Sequence, residues 1–187
     1  MKKLSFVHIT VLIVSCVVLH SGNYQHAYLL DSSHGLTSNP YVRSLAYIPQ
    51  YFLDPSTLTS FRQNWDYRPV LQITYALNYF ISEYNTWSWH LTQIILHVIC
   101  VIGLYLVCRK ILDIYRPNAN TVLTENLPFV AALLFAIHPY TSGVINYLWA
   151  RSSLLVSAFL LSSLPLYMRS KDSADYAKTP WGALILY

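Results

Sequence analysis

The chain has 187 residues, of which 55% are hydrophobic, 15% aromatic and only 11% charged, with a formal net charge of +4. Soluble domains carry about 25% charged residues and disordered chains are poor in aromatics, so neither class fits. The small positive charge, without any Lys/Arg run, argues against a nucleic-acid binder. The apolar residues come in long blocks instead, which makes lipid the expected solvent.

The first block covers residues 4–20 behind Lys2 and Lys3. It reads either as a signal anchor or as a signal peptide with a short positive leader. The anchor is preferred, because Cys16 is followed by Val17, Val18 and Leu19, where a cleaved product should turn polar. Residues 21–86 then form an unusually long connection for a small bundle. Residues 21–89 hold fifteen of the chain's 28 aromatic residues, so this loop is expected to rest against headgroups. Two helices are expected inside it. One covers about 42–53, interrupted near Pro49. The other opens with Pro69 in its first turn, where a missing N–H costs nothing, and runs to about residue 84. Its apolar residues Val70, Ile73, Leu77, Phe80, Ile81 and Tyr84 fall on one side at helical spacing. That pattern suits a helix lying in the membrane interface better than a span.

Further spans are expected at about 87–108, at 127–138 or slightly longer, and at 152–168, since a core of about 30 Å needs ~20 helical residues. A fifth begins at Trp181 and is incomplete at Tyr187. The expected fold is an all-α polytopic membrane protein with four complete transmembrane helices, the start of a fifth and a large extracytoplasmic first loop. We read the chain as the N-terminal part of a larger membrane domain, 1–187 of it. A cytoplasmic N-terminus puts eight of the 12 Lys and Arg residues inside and four outside, as the positive-inside rule asks.

Intramembrane polar residues are functional candidates by default. His90, Gln93 and His97 share one face of the second span. The two histidines would stand ~10.5 Å apart along the axis, too far to grip one metal ion, so interhelical hydrogen bonding is the favoured role. His138 before Pro139 ends the third span. Arg151, beside Trp149, stands at the outer start of the fourth, as an interfacial anchor or as an anion ligand. Asp31 should lie near the outer surface, either as a solvated turn residue or as a base whose pKa its surroundings shift. No Cys/His metal spacing, phosphate loop or repeat occurs, and Cys16, Cys100 and Cys108 all fall in or at the ends of spans.

The run from Leu30-Asp31 through Leu36, Asn39-Pro40 and Val42 resembles the first-loop signature of polyprenol-phosphate-dependent membrane glycosyltransferases of the GT-C architecture. It is most similar to the branch with C-terminal tetratricopeptide repeats, which includes protein O-mannosyltransferases and typically reads D-D-x-x-x-I-x-x-N-P-x-[VL]. Tyr67-Arg68-Pro69, Tyr75-Ala76-Leu77-Asn78-Tyr79, Trp89-His90-Leu91, Leu96-His97, the run 133–139 ending in His138-Pro139, and Ala150-Arg151-Ser152 continue the likeness. It extends over residues 20–170.

The resemblance implies a truncated GT-C-like bundle that moves a sugar from a polyprenol-phosphate donor to a hydroxyl acceptor, with inversion. The acceptor would be a protein Ser/Thr or a glycan, on the extracytoplasmic face of a bacterial inner membrane or an ER-type membrane. It assigns Asp31 as catalytic base, Arg151, Arg68 and His138 to the donor phosphate, and His90, His97 and Asn39 as supporting polar groups. Beyond donor, acceptor and membrane lipid it implies no nucleic-acid partner and no organic cofactor; a divalent metal is left open. Four positions depart from the family pattern. Ser32 replaces the second acid, Thr141 and Gly143 replace a histidine and an acid, and Ser153 replaces another acid. They favour the alternative of a non-catalytic membrane scaffold.

Overall fold

A computed structural model describes residues 2–22, 36–60, 67–115 and 121–172. Asp31, Ser32 and the segment from Trp181 to Tyr187 lie outside the described residues. Among the described residues there are seven α-helices, joined in places by short 3₁₀ turns: α1 Lys2–His20, α2 Gln50–Leu53, α3 Pro69–Ser82, α4 Thr86–Tyr115, α5 Val122–Ile137, α6 Pro139–Asn146 and α7 Arg151–Asp172. No strand occurs among the described residues.

Two helical stretches, Thr86–Tyr115 and Leu148–Met168, are long and apolar enough to cross a membrane. A third qualifies if the bent pair Thr124–Ile137 and Pro139–Asn146 counts as one span. The apolar helix Ser5–His20 is shorter, about 24 Å at 1.5 Å per residue. Four complete spans were expected; among the described residues, length and composition support two or three. The break between α5 and α6 is a bend of 53°. Pro139 disfavours helical geometry in the residue before it, and His138 is accordingly extended at φ −65°, ψ 129°. At the other end of α5, Thr121 and Thr124 satisfy each other's backbone N–H groups in a reciprocal cap.

The chain divides into two compact units. The first comprises Met1–His20, Ile95–Thr141 and Leu154–Tyr187. Its core is built from Leu12, Cys16, Val101, Tyr105, Ala132 and Ala136, with Val98, Phe129 and Leu133 packed around it. Polar pairs fix the register of α1. His8 Nδ1 lies 3.3 Å from the Tyr105 hydroxyl and its ring stacks on Phe129 at 4.5 Å, while Arg109 donates to the Ser5 and Tyr105 hydroxyls. Gly103 lets α4 approach α7 closely: a Cβ there would stand 2.8 Å from Leu161 Cβ.

The second unit comprises Ser21–Ile94 and Ser142–Ser153. The helix expected over 42–53 is instead two 3₁₀ turns, Pro40–Arg43 and Leu45–Tyr47, followed by the single-turn α2. Ser44 breaks the run: it is extended at φ −146° and its hydroxyl accepts the Ala46 N–H, the local competition that keeps serine out of helix interiors. Asp54 caps the next turn by accepting from Ser56 N at 2.9 Å, and hydrogen bonds from the Ser56 side chain and backbone hold its carboxyl below the usual carboxylate range. Helix α3 starts at Pro69 as expected and ends at Ser82. A small core of Tyr51, Leu58 and Ala76, with Ile73 and Ile48 against it, joins α3 to these turns.

Candidate functional site

The second unit encloses a guanidinium. Arg151 opens α7 and is fully buried. Its Nε donates to Gln93 Oε1 at 3.1 Å, Nη1 to Asn78 Oδ1 at 2.6 Å and Thr74 Oγ1 at 3.2 Å, and Nη2 to the Trp89 carbonyl at 3.0 Å. Its Cζ lies 4.9 Å from the Tyr75 ring centroid and 5.6 Å from that of Trp89, within the range at which a cation is attracted to a ring face.

The partners are themselves anchored. Asn78 Nδ2 donates to the Ser88 carbonyl at 3.1 Å and to Thr92 Oγ1 at 2.8 Å. Gln93 Nε2 donates to the carbonyls of Val144 and Tyr147, at 3.2 and 3.3 Å. Each amide therefore turns its oxygen to the cation and its nitrogen to carbonyl or hydroxyl oxygens, the one orientation that satisfies both ends. The Trp89 indole donates to the Glu83 carbonyl at 3.0 Å. The Tyr75 hydroxyl donates to Leu148 O at 3.2 Å. Burial pushes its pKa up to about 12, against the pull of the Arg151 charge, so it stays a neutral donor at physiological pH.

A buried charge is tolerated when it is fully hydrogen-bonded. Arg151 is such a group, a fixed positive charge held by groups on α3 and α4. Arg68 is only half-buried, just ahead of α3, and its Nη1 reaches Ser152 Oγ at 3.4 Å. The two arginines thus meet the first turn of α7 in different ways, one from inside and one at its edge.

The remaining expected site residues have separate places. Asn39 is buried, accepts from Tyr41 N at 3.1 Å and donates to Thr57 O at 3.0 Å, tying the first turn to a later one. His90 is fully buried beside Trp89 on α4. In the first unit, His97 Nε2 lies 3.3 Å from Ala136 O and its ring meets that of His20 edge-on at 5.6 Å. His138, also of that unit, is exposed; its Nδ1 accepts from Tyr140 N at 3.2 Å. Asp31 lies outside the described residues. Among the described residues no group of three or more His, Cys, Asp or Glu side chains could hold a metal ion.

Thr74, Asn78 and Trp89 went unnoticed as partners of Arg151, although a signal existed. Thr74 and Asn78 are four residues apart on one helix, so the pair faces one way, and uncharged polar groups so placed in an apolar helix announce a common partner. Trp89 gives its backbone carbonyl, which no side-chain spacing announces.

Several curated proteins are similar to this chain. Protein O-mannosyl-transferase TMTC3 of Homo sapiens is 34% identical over 110 residues, 59% of this chain and 11% of that protein. Protein O-mannosyl-transferase TMTC2 of Homo sapiens is 32% identical over 127 residues, 67% of this chain and 14% of that protein. Protein O-mannosyl-transferase Tmtc3 of Drosophila melanogaster is 27% identical over 182 residues, 90% of this chain and 20% of that protein. The chain thus spans between about a tenth and a fifth of the length of these relatives. No family model matches, and no solved structure matches.

Proposed function

We propose that this chain, a distant homologue of the N-terminal portions of the TMTC protein O-mannosyl-transferases, takes part in transferring a sugar from a polyprenol-phosphate donor to a protein Ser/Thr hydroxyl. The observation that carries the reading is the homology itself, which reaches 90% of the chain in one relative. The chain is an integral membrane protein. In the reading proposed here it has four spans, counting α1 and the bent α5–α6 pair, a cytoplasmic N-terminus and loop 21–86 on the extracytoplasmic face.

The chemistry asks for a base at the acceptor and positive charge at the leaving phosphate. Asp31 takes the acceptor's proton as the hydroxyl oxygen bonds to the anomeric carbon. The anomeric bond to the phosphate oxygen breaks at the same carbon, and polyprenyl phosphate leaves. Arg68, at the edge of the α7 turn, meets the departing phosphate. Arg151 behind it adds a fixed positive potential without giving up its protein partners, the preorganised kind of stabilisation that costs no rearrangement during reaction. His138 is a separate candidate for the phosphate.

The full-length protein in lipid vesicles, given polyprenyl-phosphate mannose and a Ser/Thr-rich acceptor, tests this. Asp31→Asn and Arg68→Ala should each lower transfer by roughly 10²-fold while leaving insertion intact, and His138→Ala in the same assay decides that residue. Wild-type-like transfer by the first two variants would remove the mechanism. A second reading, a non-catalytic membrane scaffold, is favoured by Ser32, Thr141, Gly143 and Ser153. It predicts no transfer from the wild-type protein under the same conditions.

A further inference from the structure

Charge enters α4 late. Its stretch from Thr86 to Cys108 holds no Asp, Glu, Lys or Arg and rises about 35 Å, slightly more than a hydrocarbon core of about 30 Å. Arg109 is the first cation that α4 carries, and in a helix that crosses the bilayer it stands at the depth of the lipid phosphates. Ser5 of α1 meets it there, with Lys2 and Lys3 in the turn before.

The guanidinium is bracketed on one side only. Its Nη1 donates to the Ser5 hydroxyl and, at 3.4 Å, to the Tyr105 hydroxyl, and its Cζ lies 5.8 Å from the Tyr105 ring centroid. Tyr105 is buried, and its hydroxyl lies 3.3 Å from His8 Nδ1, so the ring that holds Arg109 is itself held from α1. An arginine that only anchors a helix end extends its head into water and needs no such bracket. Arg109 stays half-buried instead. Among the described residues its Nε and Nη2 meet no hydrogen-bond acceptor, and no carboxylate pairs with it. Asp113, one turn further on, is exposed. The Nε–Nη2 edge presents two parallel N–H donors, the spacing that two oxygens of one phosphate match. A basic recess between spans at the membrane edge selects anionic headgroups, because a choline headgroup brings its own cation to compete with the arginine.

We propose that Arg109, aimed by Ser5 and Tyr105, is a binding site for the phosphate of an anionic phospholipid at the end of α4 remote from Thr86. The inference rests on α4 crossing the bilayer and is independent of any transfer activity and of which end is cytoplasmic. Native mass spectrometry of the full-length protein in detergent tests it, with phosphatidylglycerol, phosphatidylcholine and inorganic phosphate as probes. The wild-type protein should retain phosphatidylglycerol in preference to phosphatidylcholine. Arg109→Gln should reduce that preference about fivefold, the weight of one cation near a membrane surface, whereas Arg43→Gln, at an exposed arginine of the other unit, should leave it unchanged. Asp113→Asn removes a repelling charge and should raise the retention of phosphatidylglycerol. If Arg109 only ties α4 to α1, Arg109→Gln lowers the unfolding midpoint and leaves the headgroup preference as it was, which would overturn the proposal. Should that variant fail to fold, Asp113→Asn still decides, and unchanged retention there would count against the site. Inorganic phosphate that displaces the lipid at equal concentration would reassign the site to a soluble anion and overturn the lipid assignment.

Discussion

Arg151 spends its donors on four groups that neighbouring segments present, and a lysine cannot do the same. Arg151→Lys keeps the charge but loses the planar fork and the stacking on Tyr75 and Trp89. Bonds to a buried charge are worth about 1.5–3 kcal/mol each, and lysine can recover some of them. A loss of roughly 3 kcal/mol is expected, read as a lowered unfolding midpoint in detergent. Glu83 points the other way. At φ 50°, ψ −124° it is the single non-glycine with positive φ among the described residues, held there because its N–H and C=O bind Tyr79 O and the Trp89 indole. Glu83→Gly removes strain worth about 1–3 kcal/mol at the cost of a more flexible unfolded chain. A net gain near 1 kcal/mol is expected by the same measurement. Tyr75 supplies a pH signature. Its pKa is about 12 in the fold and about 10 in an unfolded chain. A raised value means stability that is full below pH ~10 and lost as pH climbs from there through the folded pKa. Phenolate absorbance should report this ionisation late, and Tyr75→Phe should shrink the alkaline loss of stability.

Among the elements, α4 and α7 meet where Gly103 leaves no room for a side chain. A methyl there would stand 2.8 Å from Leu161 Cβ and 2.9 Å from the Leu161 carbonyl oxygen. Since backbone stands in the way as well as side chain, trimming Leu161 to alanine should not rescue the clash. Gly103→Ala should cost about 1–3 kcal/mol through overpacking, and the double variant with Leu161→Ala should stay as unstable. The extent of the helices was largely legible, because apolar runs and Pro69 are local signals. Helix α4 nevertheless continues to Tyr115, past the expected end at 108, since Arg109 finds Ser5 and Tyr105 as partners and has no need to leave the helix. The expected helix over 42–53 failed for a local reason that hydropathy does not weigh: Ser44 offers the backbone a competing bond.

For the whole molecule, the eight-to-four division of Lys and Arg predicts the orientation. In sealed membrane vesicles with the extracytoplasmic face outward, an impermeant thiol reagent should label Ser60→Cys on a cysteine-free background without permeabilisation. Labelling that waits for the inner face to be opened would reverse the orientation and place the proposed transfer chemistry on the cytoplasmic side.

Composition and block length by themselves determined that lipid is the solvent, and the order of short motifs determined the kinship that the comparisons bear out. Both are written along the chain, in windows short enough for periodicity and spacing to carry them. The clamp around Arg151 is of another kind. Its partners lie 58 to 77 residues away in sequence, and nothing local tells an arginine at a helix start whether it will anchor at the membrane edge, bind an anion or be enclosed. Helix α3 divides between the two. Its apolar stripe, and the expectation that the stripe lies in the membrane interface, were readable from helical spacing. What only the tertiary structure shows is the other side, which buries Gln72, Tyr75 and Asn78 beside Leu71 and Ala76 and turns Asn78 to the Arg151 guanidinium, because that cation comes from a segment 73 residues away.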